Sequence, residues 1–260
     1  MGLKRSNARV AQPSGKGTVT RLLYIRFMAE SVQQSRSAAL PEWLRPAYID
    51  EVRRLVQDPM FTRLADKAKL GGACLNAGCG EMGYFEWLDQ RFDSILHMDL
   101  ETPRQEIVRG NSKHRSTPGS VTEIPCPDAA FDFVFCTEVL EHVPDDALAA
   151  REMARVLKSG GYLLISTPTP PAPFDPNHVR EGYTLAQMTD VLGKAGFSVL
   201  HHEFAFHAMF RNLYRTSEYL RRMRGGYSAV PRFIMRSCAR FDAAVPLGKP
   251  FDIAVLARKN

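Results

Sequence analysis

The chain changes period near residue 70. From Val19 to about Lys69, apolar positions recur every three or four residues, first in LLYIRFMAESV and then in PEWLRPAYIDEVRRLVQ. Pro41 suits the first turn of a helix there. Beyond residue 70, short apolar runs alternate with longer amphipathic ones. ACLNA, SILHMD, FDFVFC and GYLLIST predict buried strands, and YFEWLDQRF, DALAAREMARVL and TLAQMTDVLGKA predict helices. Strands separated by helices at this spacing build βαβ units and a mostly parallel sheet. Two further runs, FSVLHHEFAF and FDIAVLARK, predict closing strands. His201 and His202 fall in the first of these and are expected to alternate between core and surface, whereas His97, inside SILHMD, is expected to be structural.

Between the last two strands the pattern departs from a compact α/β domain. About 45 residues, 206–250, stand where a short connection is usual. In HAMFRNLYRTSEYLRRMR, Met209, Phe210, Leu213, Leu220 and Met223 lie near helical spacing among Arg211, Arg215, Arg221, Arg222 and Arg224. FIMRSCARFDAAV repeats the type, so two basic amphipathic helices are expected. The organisation is then a polar tail over 1–18, expected to be disordered, and an N-terminal helical cap over 19–70. An α/β core over 71–205 plus 251–260 follows, with a helical lid or insertion over 206–250.

Composition narrows the class only a little. Of 260 residues 45% are apolar and 24% charged, which is enough to bury a sizeable core. No run approaches the roughly 18 apolar residues of a membrane span. The first residues carry no apolar stretch after their basic ones, so no secretory signal is expected. Five scattered cysteines without a CxxC pair argue against a zinc site or disulfide scaffold and for a reducing, cytoplasmic setting. No metal site is expected. Charge changes the picture more. The net +6 divides into +5 over residues 1–30, +8 over 205–260 and −7 between them. A basic head and tail on an acidic body suit an anionic partner: a phosphate-bearing substrate, a membrane surface or nucleic acid.

The sharpest chemistry lies in Leu75-Asn76-Ala77-Gly78-Cys79-Gly80-Glu81-Met82-Gly83, directly after a strand and before a helix. Glycines there permit a tight turn and let a ligand approach the backbone, and a helix N-terminus offers free N–H groups. About twenty residues on, the second strand ends at Asp99, where an acid can accept both hydroxyl hydrogens of a ribose. Loop and acid together point to an adenosine-type ligand.

These segments carry a family resemblance. LNAGCGEMG, then MDLE, then VTEIPCPDAAFDFVFCTEVLEHV, then ALAAREMARVLKSGGYLLISTP resemble, in order, a class I (Rossmann-like) S-adenosylmethionine-dependent methyltransferase of the small-molecule or glycan type. HVREGYTLAQMTDVLGKAGFSVL resembles the segment that follows the fifth strand in that family. The resemblance implies a doubly wound, seven-stranded, mostly parallel sheet with an antiparallel last strand. It also implies S-adenosylmethionine as cofactor and S-adenosylhomocysteine as product. By position it sets Ala77, Gly78 and Gly80 against the methionine part of the cofactor and Asp99 on the ribose hydroxyls. Leu100 and the Val121 N–H would face the adenine, and Thr137 would lie beneath the sulfonium. Asn76 stands where the family usually has an acid but keeps hydrogen-bonding capacity. Met82 and Ser120 stand where glycine and Asp are common.

Methyl transfer needs mainly proximity and orientation, with a base if the acceptor is a hydroxyl. His142, in Glu138-Val139-Leu140-Glu141-His142, and His178, on the loop after the fifth strand, are the candidate bases. Arg180 could bind an acidic group of the substrate or pair with Glu181. The expected reaction is methyl transfer to a small-molecule, sugar or lipid-linked acceptor, on oxygen. Residues 206–250 are a candidate contact with the inner face of a membrane. An RNA methyltransferase would explain the basic ends, although no RNA-binding module accompanies them, so nucleic acid is not the expected partner. A nicotinamide dehydrogenase would show GxGxxG spacing, which is absent. The substitutions at Asn76, Met82 and Ser120 keep open a catalytically degenerate scaffold protein.

Overall fold

Period-two burial in the strands decides the architecture. In the central strands Leu75, Val134, Cys136, Leu163 and Ile165 are buried on one face, and Cys74, Phe133, Phe135 and Leu164 on the other. A sheet apolar on both faces needs a helical layer on each. The computed structural model describes residues 49–101, 103, 105–172, 175–223 and 230–260; the tail at 1–18 and the expected cap as far as residue 48, Pro41 included, lie outside the described residues.

In chain order the elements are α1 (Ile49–Ala65), β1 (Ala73–Ala77), α2 (Phe85–Asp89), β2 (Ser94–Asp99), α3 (Gln105–Val108), β3 (His114–Pro118) and β4 (Phe131–Thr137). A 3-10 turn (Leu140–His142) leads to α4 (Asp146–Val156), β5 (Leu157–Pro168), α5 (Leu185–Lys194) and β6 (Phe197–Ala205). Then come α6 (Ala208–Met223), α7 (Arg232–Ala244) and β7 (Asp252–Lys259). The seven strands form one sheet in the order β3-β2-β1-β4-β5-β7-β6. Pairing is parallel from β3 across to β5, and β7 runs antiparallel to both β5 and β6. The order reverses between β1 and β4, so the crevice at their carboxyl ends is the place where such sheets bind ligands.

Helices α4 and α5 cover one face through Ala150, Met153, Met188 and Leu192. The other is covered by α1, α2, α6 and α7, through Phe61, Leu88, Phe210 and Met235 among others. Both helices read from residues 206–250 therefore exist. Phe210 is fully buried, while Met209 is exposed. Local signals agree with this placement. The Asp145 carboxylate accepts the Leu148 N–H at 2.8 Å, and Thr184 and Gln187 form a reciprocal capping box on α5.

Three elements differ from the pattern reading. β3 carries no apolar alternation: HRSTP is a polar edge strand, held by parallel pairing to β2. α2 is a single turn of five residues, not the longer helix suggested by YFEWLDQRF. In β6 the register slips between Val199 and His201, and both His201 and His202 are exposed instead of alternating. An extra residue at a bulge shifts every later side chain out of phase.

Candidate active site

The loop after β1 is a left-handed turn fastened to β2. Gly78 has φ +72 and Gly80 φ +49, and the N–H groups of Gly78 and Cys79 both donate to the Met98 carbonyl, at 2.8 and 3.0 Å. A Cβ on Gly78 would lie 2.3 Å from Val139 Cγ2, so the loop and the turn after β4 touch where only glycine fits. Around Gly80 a Cβ would meet nothing within 4 Å, which leaves the backbone approachable from outside. Met82, where the family commonly has glycine, also adopts a left-handed φ of +56; its buried side chain packs with Cys79 and Val108.

At the same edge, Asp99 ends β2. Its Oδ2 accepts the Gly80 N–H at 2.7 Å and its Oδ1 the Leu100 N–H at 2.8 Å. Each oxygen keeps a lone pair for a further donor, so the carboxylate retains the capacity to take two hydroxyl hydrogens. The loop amides are thus turned to the end of β2, those of Gly78 and Cys79 to the Met98 carbonyl and that of Gly80 to Asp99, and the one-turn helix α2 adds no anion site of its own. Leu100 is 76% exposed beside this carboxylate, and Val121 is buried on the segment that starts with Gly119 N–H donating to the Asp99 carbonyl at 2.8 Å. Thr137 ends β4, half-buried and paired with Ser166. Open backbone at Gly80, a doubly available acid and an exposed apolar side chain next to it together fit an adenosine-bearing ligand.

Asn76 and Ala77 are buried in β1. Asn76 Nδ2 sits 3.1 Å from His97 Nδ1, His97 Nε2 is 2.9 Å from His114 Nδ1, and His114 Nε2 is 2.9 Å from Asp89 Oδ1. One proton direction satisfies every step: each N–H donates toward Asp89. Burial, reinforced by His114, pushes the His97 imidazole down to about 4, so it stays neutral within the chain. One N–H of the Asn76 amide is committed to this cross-strand chain, and its second N–H and its amide oxygen remain for a ligand.

The two candidate bases come together. The rings of His142 and His178 meet edge to face with centroids 4.6 Å apart. Their segments are tied by the Val179 N–H donating to the Glu141 carbonyl at 2.9 Å. His142 Nδ1 lies 3.1 Å from the Asn177 carbonyl. Both histidines line a cavity of about 220 Å³ with Glu138, Glu141 and Arg53, closed on its other side by Phe206, Tyr214 and Phe251. Burial, with His142 alongside, lowers the His178 imidazole from its ordinary value. Burial, with Glu138 alongside, pushes the Glu141 carboxyl up to about 9. Arg180 does not face this cavity. Its guanidinium donates to the carbonyls of Leu140, Val143 and Pro144 and to Tyr183 Oη, and lies 3.5 Å from Asp146. It binds neither Glu181 nor a ligand position; it clamps the turn that carries Glu141 and His142.

Pattern reading missed a buried polar network behind the cavity. Glu138, at φ +57, forms an ion pair with Arg53 of α1 and accepts the Ser166 hydroxyl at 2.8 Å. Gln57 Nε2 donates to Asp252 at 2.7 Å, and Tyr84 Oη donates to Gln57 at 2.5 Å. Burial lifts Asp252 well above the usual carboxylate range, and the Glu138 charge adds to it. Asp252, an acid directly before the apolar run Ile253–Ala257, is the local signal that could have pointed to this network.

A family model described as a methyltransferase domain matches residues 75–165. A probable S-adenosylmethionine-dependent methyltransferase of Mycolicibacterium smegmatis is 34% identical over 166 residues, 57% of this chain and 60% of that protein. A ubiquinone biosynthesis O-methyltransferase of Alkalilimnicola ehrlichii is 30% identical over 103 residues, 37% of this chain and 42% of that protein. The chain thus spans three-fifths or less of the length of these relatives. A solved S-adenosylmethionine-dependent methyltransferase from Archaeoglobus fulgidus superimposes with a TM-score of 0.54 at 18% identity, over 80% of this chain and 94% of that one, which establishes the fold. With the glycine loop, the edge acid and the reversed strand order in place, residues 75–165 match the methyltransferase-domain family on the fold of class I, S-adenosylmethionine-dependent methyltransferases.

Proposed function

We propose that the chain methylates an oxygen atom of a small-molecule, sugar or lipid-linked acceptor held in the cavity beside His142 and His178. One observation carries the reading. The Glu138–His142 turn packs Val139 against Gly78 of the cofactor loop while Glu138, Glu141 and His142 line the cavity, so the two sites share one wall. The cofactor supplies an activated methyl group as a sulfonium. Ala77, Gly78, Gly80 and Thr137 hold its methionine end, Asp99 its ribose, and Leu100 and the Val121 N–H its adenine. The protein then has to orient the acceptor, exclude water and take a proton. A neutral imidazole at His178 serves that last purpose, and His142 orders it. Oxygen as the acceptor atom is supported by the O-methyltransferase among the relatives.

A second hollow of about 700 Å³, lined by Leu55, Met60 and Phe204 among others, shares Phe206 with the cavity. An acceptor with an apolar portion would extend into it. Exposed Phe233, Ile234 and Phe241 lie on α7 with Arg236 and Arg240, a combination suited to an anionic membrane surface. No helix among the described residues is long and apolar enough to cross a membrane.

Calorimetric titration with S-adenosylhomocysteine tests the cofactor reading, with NADH as control. Asp99→Ala should weaken binding by about two orders of magnitude, the loss of two hydrogen bonds to a charged group. Unchanged affinity would remove Asp99 from the site.

A further inference from the structure

Glu141 is the buried carboxyl, among the described residues, with both oxygens unpartnered. It is 1% exposed, and neither carboxylate oxygen finds a hydrogen-bond partner on another described residue. A buried carboxylate without partners is costly, and its carboxyl faces a polar cavity that also contains Glu138. Glu138 is satisfied by Arg53 and Ser166, so it does not share that need. What stands near Glu141 is imidazole: one atom each from Glu141, His142 and His178 lie within 4.8 Å of one another, and His142 Nε2 is 4.0 Å from Glu141 Oε1.

We infer that Glu141, His142 and His178 form a binding site for a divalent transition-metal cation, one that prefers mixed nitrogen and oxygen ligands. Spacing along the chain hides it, because the third ligand comes from a loop 36 residues beyond His142. Three observations support it. Two imidazoles and a carboxylate suit zinc, manganese, iron or cobalt, whereas magnesium and calcium favour oxygen alone. His142 Nδ1 faces the Asn177 carbonyl, which fixes the proton on that nitrogen and leaves Nε2, the atom nearest Glu141, with its lone pair free. Ligand atoms within 4.8 Å need only small side-chain rotations to close on bond lengths of about 2.0–2.2 Å.

Three protein ligands leave a coordination position open toward the cavity. This deepens the methyl-transfer reading and rests on it for its purpose: the ion binds the acceptor's oxygen, orients it and makes its hydroxyl more acidic, and the proton leaves to solvent past the exposed His142. With the ion in place both imidazole lone pairs are committed, and His178 acts as a ligand instead of a base.

The test uses the full chain, stripped with chelator and titrated with Zn2+ and separately with Co2+, whose visible absorption reports nitrogen and oxygen ligation. S-adenosylhomocysteine is titrated into the same samples. One equivalent of Zn2+ should bind the wild-type chain, and Glu141→Gln and His178→Asn should each weaken it at least about tenfold and remove the Co2+ absorption. Mg2+ should compete poorly. Retained S-adenosylhomocysteine binding shows that a variant is folded; His178, on a half-exposed loop, is the safer of the two if Glu141→Gln unfolds. Absence of stoichiometric Zn2+ binding, or binding that both variants leave intact, overturns the site. Zn2+ binding without S-adenosylhomocysteine binding would leave the cation site standing and defeat the cofactor reading instead.

Discussion

Gly78 has no room for even a methyl group. Its φ of +72 is unfavourable to any residue with a Cβ, and that Cβ would press into Val139 at 2.3 Å. Gly78→Ala should therefore cost roughly 2–4 kcal/mol in urea unfolding, backbone strain plus overlap. Val139→Ala in the same background should recover the overlap but not the strain. At Gly80 a Cβ has open space, so the same change there should cost only the backbone part, about 1 kcal/mol. Equal losses at both positions would contradict the packing described. At this scale the sequence was most informative, because a glycine turn and the acid one strand later are local features of spacing. It was silent about the partner of Asn76, since His97 becomes its neighbour only through the parallel register of β1 and β2.

The chain from Asn76 through His97 and His114 to Asp89 joins three strands and α2, and it makes the edge of the sheet sensitive to acid. Burial and His114 hold His97 down to about 4 in the folded state, whereas an unfolded histidine titrates near 6.5. The unfolded chain therefore binds the proton first as pH falls. The contribution is complete above about pH 6.5 and disappears by about pH 4, a change of roughly 3 kcal/mol at most. Thermal midpoints between pH 7 and 4 should fall less steeply for His97→Asn than for the wild type; parallel curves would show that His97 is not held neutral. Strand β3 could not be read from HRSTP, since what keeps it in the sheet is this neighbour and not its own apolar pattern. The amphipathic runs that became α4 to α7 were readable because each buries its own stripe.

For the whole molecule, the uneven charge and the exposed apolar positions of α7 converge on one expectation. The chain should float with vesicles containing anionic lipid, release as ionic strength rises, and ignore neutral vesicles. Substituting Phe233 and Phe241 with Ser should weaken flotation without altering S-adenosylhomocysteine binding; flotation unaffected by salt and by these changes would rule the surface out. The cavity itself shows why its residues were hard to foresee. Arg53, Glu138, Tyr214 and Asp252 come from four distant stretches, and no local pattern relates them. That assembly has a temporal side, set by the place of β7 between β5 and β6. Residues 252–259 are synthesised after both helices that precede them, yet they are the seam of the sheet. Until they leave the ribosome, β5 and β6 each present an unpaired edge, and Gln57 waits for Asp252. Closure of the sheet and completion of the polar wall thus both await one strand, and interruption of translation before residue 252 leaves an adhesive intermediate with two open edges.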